Sequence, residues 1–271
     1  MATRLAAVAG HFYPGAAKTL RAEVERYLND CGVAAAPERA AAIVAPHAGY
    51  PYSGATAGHA FARVRGRKAG RVILIGRSHS YGFEGADVYT GDGFETPLGV
   101  APVDTDFAGE LAKEIGAVDM GAHVTEHSLE VEVPFIQAAL GDTPIVPILL
   151  GSDAGPWHVG FGERLATMLD DSDLLVASTD LSHFLDEAAA NEMDEATTGA
   201  ILGQDCAAVC EGLRRDAFSM CGGSAVVVAM SYALARNALD WRLLDYRTSA
   251  AATGDRHRVV GYAALTMERQ E

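Results

Sequence analysis

Four short, continuously apolar runs constrain this chain more than any other feature: residues 42–45, 72–76, 145–150 and 174–177. Runs of four to six residues without polar alternation suit strands buried on both faces, as in a sheet covered by helices. Between them lie segments with helical spacing. Leu20, Val24, Tyr27 and Leu28 predict a helix over 16–29, and others are expected over 55–64, 106–115, 159–169, 184–201, 205–213 and 225–234. Leu129, Val133, Ile136 and Leu140 share one helical face, with Pro134 forcing that helix to start late or to kink. Residues 86–90 and 95–102 bracket Gly91-Asp92-Gly93 and read as a hairpin or a loose flap, and the chain finishes in two strands, 241–246 and 259–266. Strand and helix alternate with no linker and no repeat. The expected fold is α/β, a single domain over 1–271 with a mostly parallel or mixed central sheet and helices on both faces.

Charge and punctuation exclude several classes of function. A net charge of −15 repels a phosphate backbone from most of the surface, so nucleic acid is not an expected partner. The first fifteen residues lack a secretory apolar region and no run is long enough to cross a bilayer, so the expectation is a cytoplasmic protein with no membrane contact. After the first strand, Ala48-Gly49-Tyr50-Pro51 lacks the glycine spacing of a dinucleotide fingerprint or phosphate loop, and no nucleotide cofactor is expected. The cysteines show no CxxC pairing; Cys31, Cys206 and Cys210 read as packing residues.

What the runs deliver at their ends is more specific. His47, His79 and His183 each lie just past a predicted strand, and in open α/β sheets the carboxyl ends of strands border the crevice where ligands collect. Any one of them is equally a buried structural histidine; three strand ends that converge are a candidate site. Neutral imidazole is the commonest metal ligand, and two histidines plus one anionic ligand leave positions open. Cys221 is the best third ligand. It precedes Gly222-Gly223 at a helix start, where free backbone N–H groups and the helix dipole favour a thiolate, although a small buried packing residue fits the same context. His59, His123, His158 and His257 read as background.

At this level of detail the sequence resembles the Memo-like proteins, called AmmeMemoRadiSam system protein B in prokaryotes. The matching segments are Ala45-Pro46-His47-Ala48-Gly49-Tyr50, Gly76-Arg77-Ser78-His79, Thr96-Pro97-Leu98-Gly99, Glu126-His127-Ser128-Leu129-Glu130, Ser178-Thr179-Asp180-Leu181-Ser182-His183 and Cys221-Gly222, in order over nearly the whole chain. The resemblance implies a fold similar to the class III extradiol (LigB-type) dioxygenases, whose non-haem iron is held by two histidines and a glutamate. In the Memo-like family the corresponding ligands are two histidines and a cysteine, here His47, His79 and Cys221, with His183 at the position of the dioxygenases' acid/base histidine. Links of the family to iron, copper and redox chemistry imply Fe(II), with Cu or Zn as alternatives. The family's association with phosphotyrosine peptides, and its neighbours in prokaryotes, imply as partners a small molecule or peptide in the crevice and radical-SAM and AMMECR1-like proteins.

Sulfur in place of a carboxylate donates more charge and is itself oxidisable, so dioxygenase activity does not transfer automatically. With a metal on His47, His79 and Cys221, His183 is expected to move a proton, with Asp180 orienting it or, alternatively, capping the helix that follows. His127 and Glu130 are expected to face the cavity; Glu130 alternatively favours a helix N-terminus. Tyr50 and Tyr52 wall the pocket or pack in the core, and Arg77 is expected near the substrate, where capture of an anionic peptide would require it and its neighbours to form a local basic patch. Three functions follow: a mononuclear iron redox enzyme or oxygenase, a non-catalytic module binding peptide or protein in the same crevice, and a zinc hydrolase.

Overall fold

The computed structural model describes residues 2–270. Its strands are β1 (Thr3–Arg4), β2 (Ala40–Ala45), β3 (Val72–Arg77), β4 (Ala86–Val88), β5 (Gly93–Thr96), β6 (Gly99–Pro102), β7 (Ile145–Leu150), β8 (Leu174–Ser178), β9 (His183–Leu185), β10 (Asp240–Thr248) and β11 (Val259–Glu268). The helices are α1 (Ala17–Asp30), α2 (Tyr50–Arg63), α3 (Thr105–Ile115), α4 (His127–Glu130), α5 (Val133–Leu140), α6 (Pro156–Met168), α7 (Glu187–Leu202), α8 (Cys206–Arg214), α9 (Gly223–Ala235) and α10 (Ala250–Thr253).

The four apolar runs become the parallel centre of a mixed sheet ordered β10-β11-β2-β8-β3-β7-β4. Every residue of β2, β7 and β8 is buried, as uninterrupted apolar runs require, and each fully buried Val, Leu or Ile contributes about 1.5–3 kcal/mol relative to exposure. Antiparallel strands close the two sides, β11 against β2 and β4 against β7, while β9 pairs with β11. Helices α1, α2 and α5 form one layer and α6, α8 and α9 another, so the sheet is flanked by helices. Helix α9 has no polar face along most of its length because it lies wholly inside, against β2, β3 and β8. A second, three-stranded sheet, β1-β5-β6, brings the N-terminal strand alongside the β5–β6 hairpin.

Several boundaries differ from the sequence expectation for identifiable reasons. Helix α2 starts at Tyr50 rather than at 55, with Pro51 in its first turn, where the missing N–H costs no hydrogen bond. Pro134 does the same in α5, so that helix starts late and does not kink. The stretch expected as helix from 184 opens as strand β9; α7 begins only after Asp186, whose side chain accepts from Ala188 N. Gly91-Asp92-Gly93 is not a hairpin tip. The hairpin turns at Pro97-Leu98 between β5 and β6, and β4 pairs elsewhere.

Candidate metal centre

Parallel pairing of β2 with β8 sets Ala45 opposite Ser178, and β8 lies between β2 and β3, so the loops after all three strands open side by side. His47 and His79 meet there with their rings 5.2 Å apart and nearly perpendicular. Cys221 approaches from the start of α9, and its Sγ stands 3.2 Å from His47 Nε2. One ligand atom from each of His47, His79 and Cys221 can be chosen so that all lie within 4.8 Å of one another, the spacing a single ion needs. His47 is 1% exposed and forms the floor, whereas a third of the His79 side chain is open to solvent, so the cluster has an entrance.

The unused ring nitrogens are as informative as the ligand atoms. His47 Nδ1 is 2.8 Å from Ser178 Oγ, which also lies 2.6 Å from Ser128 O and 2.9 Å from Glu132 Oε1. A hydroxyl carries one proton. Given to the Ser128 carbonyl, it leaves Ser178 Oγ to accept from His47 Nδ1–H, while Glu132, pushed well above the ordinary carboxyl range by burial, stays neutral. His79 Nδ1 is 2.9 Å from Glu126 Oε1, and the other oxygen of Glu126 accepts from the His79 backbone N–H at 2.6 Å. Anchoring Nδ1 fixes each tautomer with Nε2 as the free lone pair, the arrangement that partners of metal-binding histidines provide. Burial penalises the Glu126 charge, but the hydrogen bonds from His79 and from Ser128 N hold it down at about 2, so the anion persists at neutral pH.

Burial, then the neighbouring His127 and His79, push His47 well below the usual histidine range, which keeps it neutral and able to ligate. Cys221 behaves differently from the expectation of a thiolate favoured by the helix start. Burial, followed by the adjacent Asp180, pushes its thiol up to about 12, so without a cation the sulfur keeps its proton. The chemistry fits a divalent ion that displaces that proton on binding. The loop geometry holds the sulfur in place regardless: Asp180 N donates to Sγ at 3.3 Å, Cys221 N to Asp180 O at 3.2 Å and Gly222 N to Thr179 Oγ1 at 2.8 Å. Gly222 permits this approach, since a Cβ there would lie 2.2 Å from Ser178 O.

The remaining expected site residues divide sharply. His127 belongs to the cluster: its ring lies 4.5 Å from that of His79, and its Nδ1 is 3.2 Å from the same Glu126 carboxylate. His183 joins a group with Asp180 and Cys221 whose ligand atoms also lie within 4.8 Å, its Nδ1 tied to Leu181 O at 2.8 Å and its Nε2 without a hydrogen-bond partner among the described residues. Asp180 does not cap the following helix, since Asp186 does; its carboxylate accepts from His47 N at 2.9 Å, and burial raises it to about 7.

Tyr50, Glu130 and Arg77 are elsewhere. Tyr50 is a core residue whose hydroxyl donates to Val131 O and whose ring packs on Phe135, because α2 starts at that position and turns the ring inward. Tyr52 is exposed. Glu130 faces away from the cluster, into a closed network with Arg4 Nη1 at 2.6 Å, Ala7 N, Val8 N and the Tyr13 hydroxyl. Arg77 pairs with Asp153 and lines a different cavity. Sequence reasoning assigned no role to Glu126, Ser178 and Glu132. The recognised motif holds both Glu126 and Glu130 with nothing local to choose between them, whereas strand register reveals Ser178 and the start of α5 reveals Glu132.

The sequence pattern of the Memo-like proteins matches residues 4–266. A MEMO1 family protein of Archaeoglobus fulgidus is 37% identical, covering 95% of this chain and 97% of its own. One from Methanococcoides burtonii is 34% identical, over 96% of this chain and 98% of that one. Another, from Methanopyrus kandleri, is 32% identical and covers 98% and 99%. Among the described residues no helix is long and apolar enough to cross a membrane. The chain therefore belongs to the Memo-like protein family.

Proposed function

We propose that this chain is a metal-dependent redox protein that binds one iron ion through His47 Nε2, His79 Nε2 and Cys221 Sγ. The observation that carries the reading is the opposition of roles on the two histidine rings: each Nδ1 is engaged by a buried partner while each Nε2 is left for a ligand beside a cysteine sulfur. A structural histidine pair has no need of that asymmetry. The donor set of two imidazoles and one thiolate suits Fe(II), and copper and zinc compete for it. When bound, the ion supplies Lewis acidity or electron transfer at positions that the three protein ligands leave open.

The surrounding residues prepare the cavity for proton movement. His183 stands beside Asp180 and Cys221, and burial lowers its affinity for a proton, so the ring is neutral and placed to accept one from a bound group. His127, close to solvent at the entrance, is placed to orient an incoming group, and Phe12 covers it at a ring distance of 4.9 Å. A small molecule or peptide reaches this entrance without crossing the core. Dioxygenase chemistry is not a necessary consequence, because the thiol is oxidisable where a carboxylate would be inert.

The test is metal content after anaerobic purification of wild type, His47→Ala, His79→Ala, Cys221→Ser and His183→Ala. Stoichiometric iron in wild type and His183→Ala, with loss in the other three, supports the reading. Zinc alone in wild type, lost in the same three variants, would replace it with a hydrolytic site, and no affinity of the wild type for Fe(II), Cu or Zn would end it.

A further inference from the structure

Beside the Cys221 loop lies a separate cavity of ≈370 Å³, whose lining includes Ser219, Met220, Gly223 and Ser224 together with Arg77 and Arg214. None of the histidines of the metal cluster lines it. We propose that this cavity binds a small organic carboxylate on the N-terminus of α9.

Two independent observations point to a ligand. Helix α9 is thirteen residues long and has no side-chain cap. The Gly222 N–H is taken by Thr179 Oγ1 and the Val226 N–H starts the helical ladder at Gly222 O; of the N–H groups of Gly223, Ser224 and Ala225, one closes a loose turn on Met220 O and none makes a well-formed hydrogen bond among the described residues. Such a terminus attracts negative charge through its N–H groups and the dipole behind them. Separately, Ser224 lines the cavity, is 1% exposed, and its Oγ has no hydrogen-bond partner among the described residues. A buried hydroxyl without a partner carries a desolvation cost that an oxyanion accepting its proton would remove.

The charge around the cavity selects among oxyanions. Arg77 is already paired with Asp153, and Arg214 with Glu211 on its own helix; Asp153 and Asp216 also line the space. Asp153 is compensated by Arg77, so an oxyanion faces the one uncompensated carboxylate of Asp216, which repels a dianionic phosphate more than a single negative charge; the latter matches one helix terminus and one hydroxyl. Leu213, Phe218 and Met220 supply an apolar wall. A neighbouring, largely apolar cavity bordered by Pro156, Val159 and Cys210 shares Ala154 and Arg214 with this one, which leaves room for an apolar body behind the carboxylate. A bound acid therefore rests against the loop that carries Cys221.

Hexanoate, acetate and inorganic phosphate titrated into the metal-free, full-length protein provide the test, followed by the backbone amide resonances of Gly223 and Ser224. Hexanoate is expected to shift both saturably and to bind more tightly than acetate or phosphate. Ser224→Ala should weaken hexanoate about tenfold, the value of a lost hydrogen bond to a charged group. Asp216→Asn should tighten it severalfold, a gain that misfolding cannot imitate. His47→Ala should bind hexanoate like wild type, which separates this site from the metal reading. Phosphate binding as tightly as hexanoate would overturn the carboxylate assignment. Equal affinity in Ser224→Ala, or no saturable shift at tens of millimolar hexanoate, would overturn the site.

Discussion

Two buried polar networks meet in residues Glu126 to Glu130, and they are finished in opposite ways. At one end the Glu126 side chain serves His79, His127 and Ser128, and the histidines it organises keep nitrogens with no partner among the described residues. At the other end Glu130 is enclosed by Arg4, Ala7, Val8 and Tyr13, and both of its oxygens are used. Arg4 ties the two together, since its guanidinium also donates to the carbonyls of His123 and Glu126. A network with every group satisfied holds the N-terminal segment in place; one that stops short of satisfaction is ready for something from outside. Residue type does not distinguish them, because each is built from a buried glutamate.

The comparison makes its largest claim about the closed network. Glu130→Ala leaves the Arg4 charge buried without its partner and is expected to cost on the order of 3–5 kcal/mol of stability, while metal affinity of the folded fraction stays within a few fold. Chemical denaturation combined with metal titration checks this, and coupled losses would mean the networks are one. Glu126→Gln should do the reverse, lowering metal affinity about 10–100-fold by releasing the His79 ring, with a smaller effect on stability. Gly222→Ala drives a Cβ against Ser178 O and should destabilise by about 1–3 kcal/mol while displacing the sulfur, so thermal denaturation and metal binding fall together.

The smallest effect concerns pH. Burial pushes His123 down to about 4, below its ordinary value near 6.5, although Asp87 beside it favours the charged form. The unfolded chain therefore binds the proton first as pH falls. Stability is full above about 6.5 and declines toward 4, with an expected loss of about 1–2 kcal/mol between pH 7 and 5. His123→Gln should flatten that slope in denaturation midpoints measured across the range; an unchanged slope would place the acid sensitivity elsewhere.

The sequence was legible where one segment carries its own answer. The uninterrupted apolar runs could only be strands buried on both faces, and the histidines after them marked the edge where the loops converge. Prolines were harder, since Pro51 and Pro134 look like interruptions but sit in first turns, where proline is harmless. Partners were hardest. Ser178 supports His47 because β2 and β8 align in parallel, and Glu132 reaches Ser178 from the start of α5, neither of which local spacing encodes. Tyr50 and Glu130 had plausible chemistry but the wrong direction, set by where α2 begins and by the N-terminal strand that covers Glu130.

The central claim is that Cys221 and two histidines share one ion, and X-ray absorption at the metal edge of the anaerobically loaded protein reads that shell directly. One sulfur scatterer near the ~2.3 Å typical of metal–thiolate bonds, together with imidazole nitrogens, is the predicted spectrum, and the sulfur contribution should vanish in Cys221→Ser. A shell of nitrogen and oxygen alone in the wild type would contradict the account.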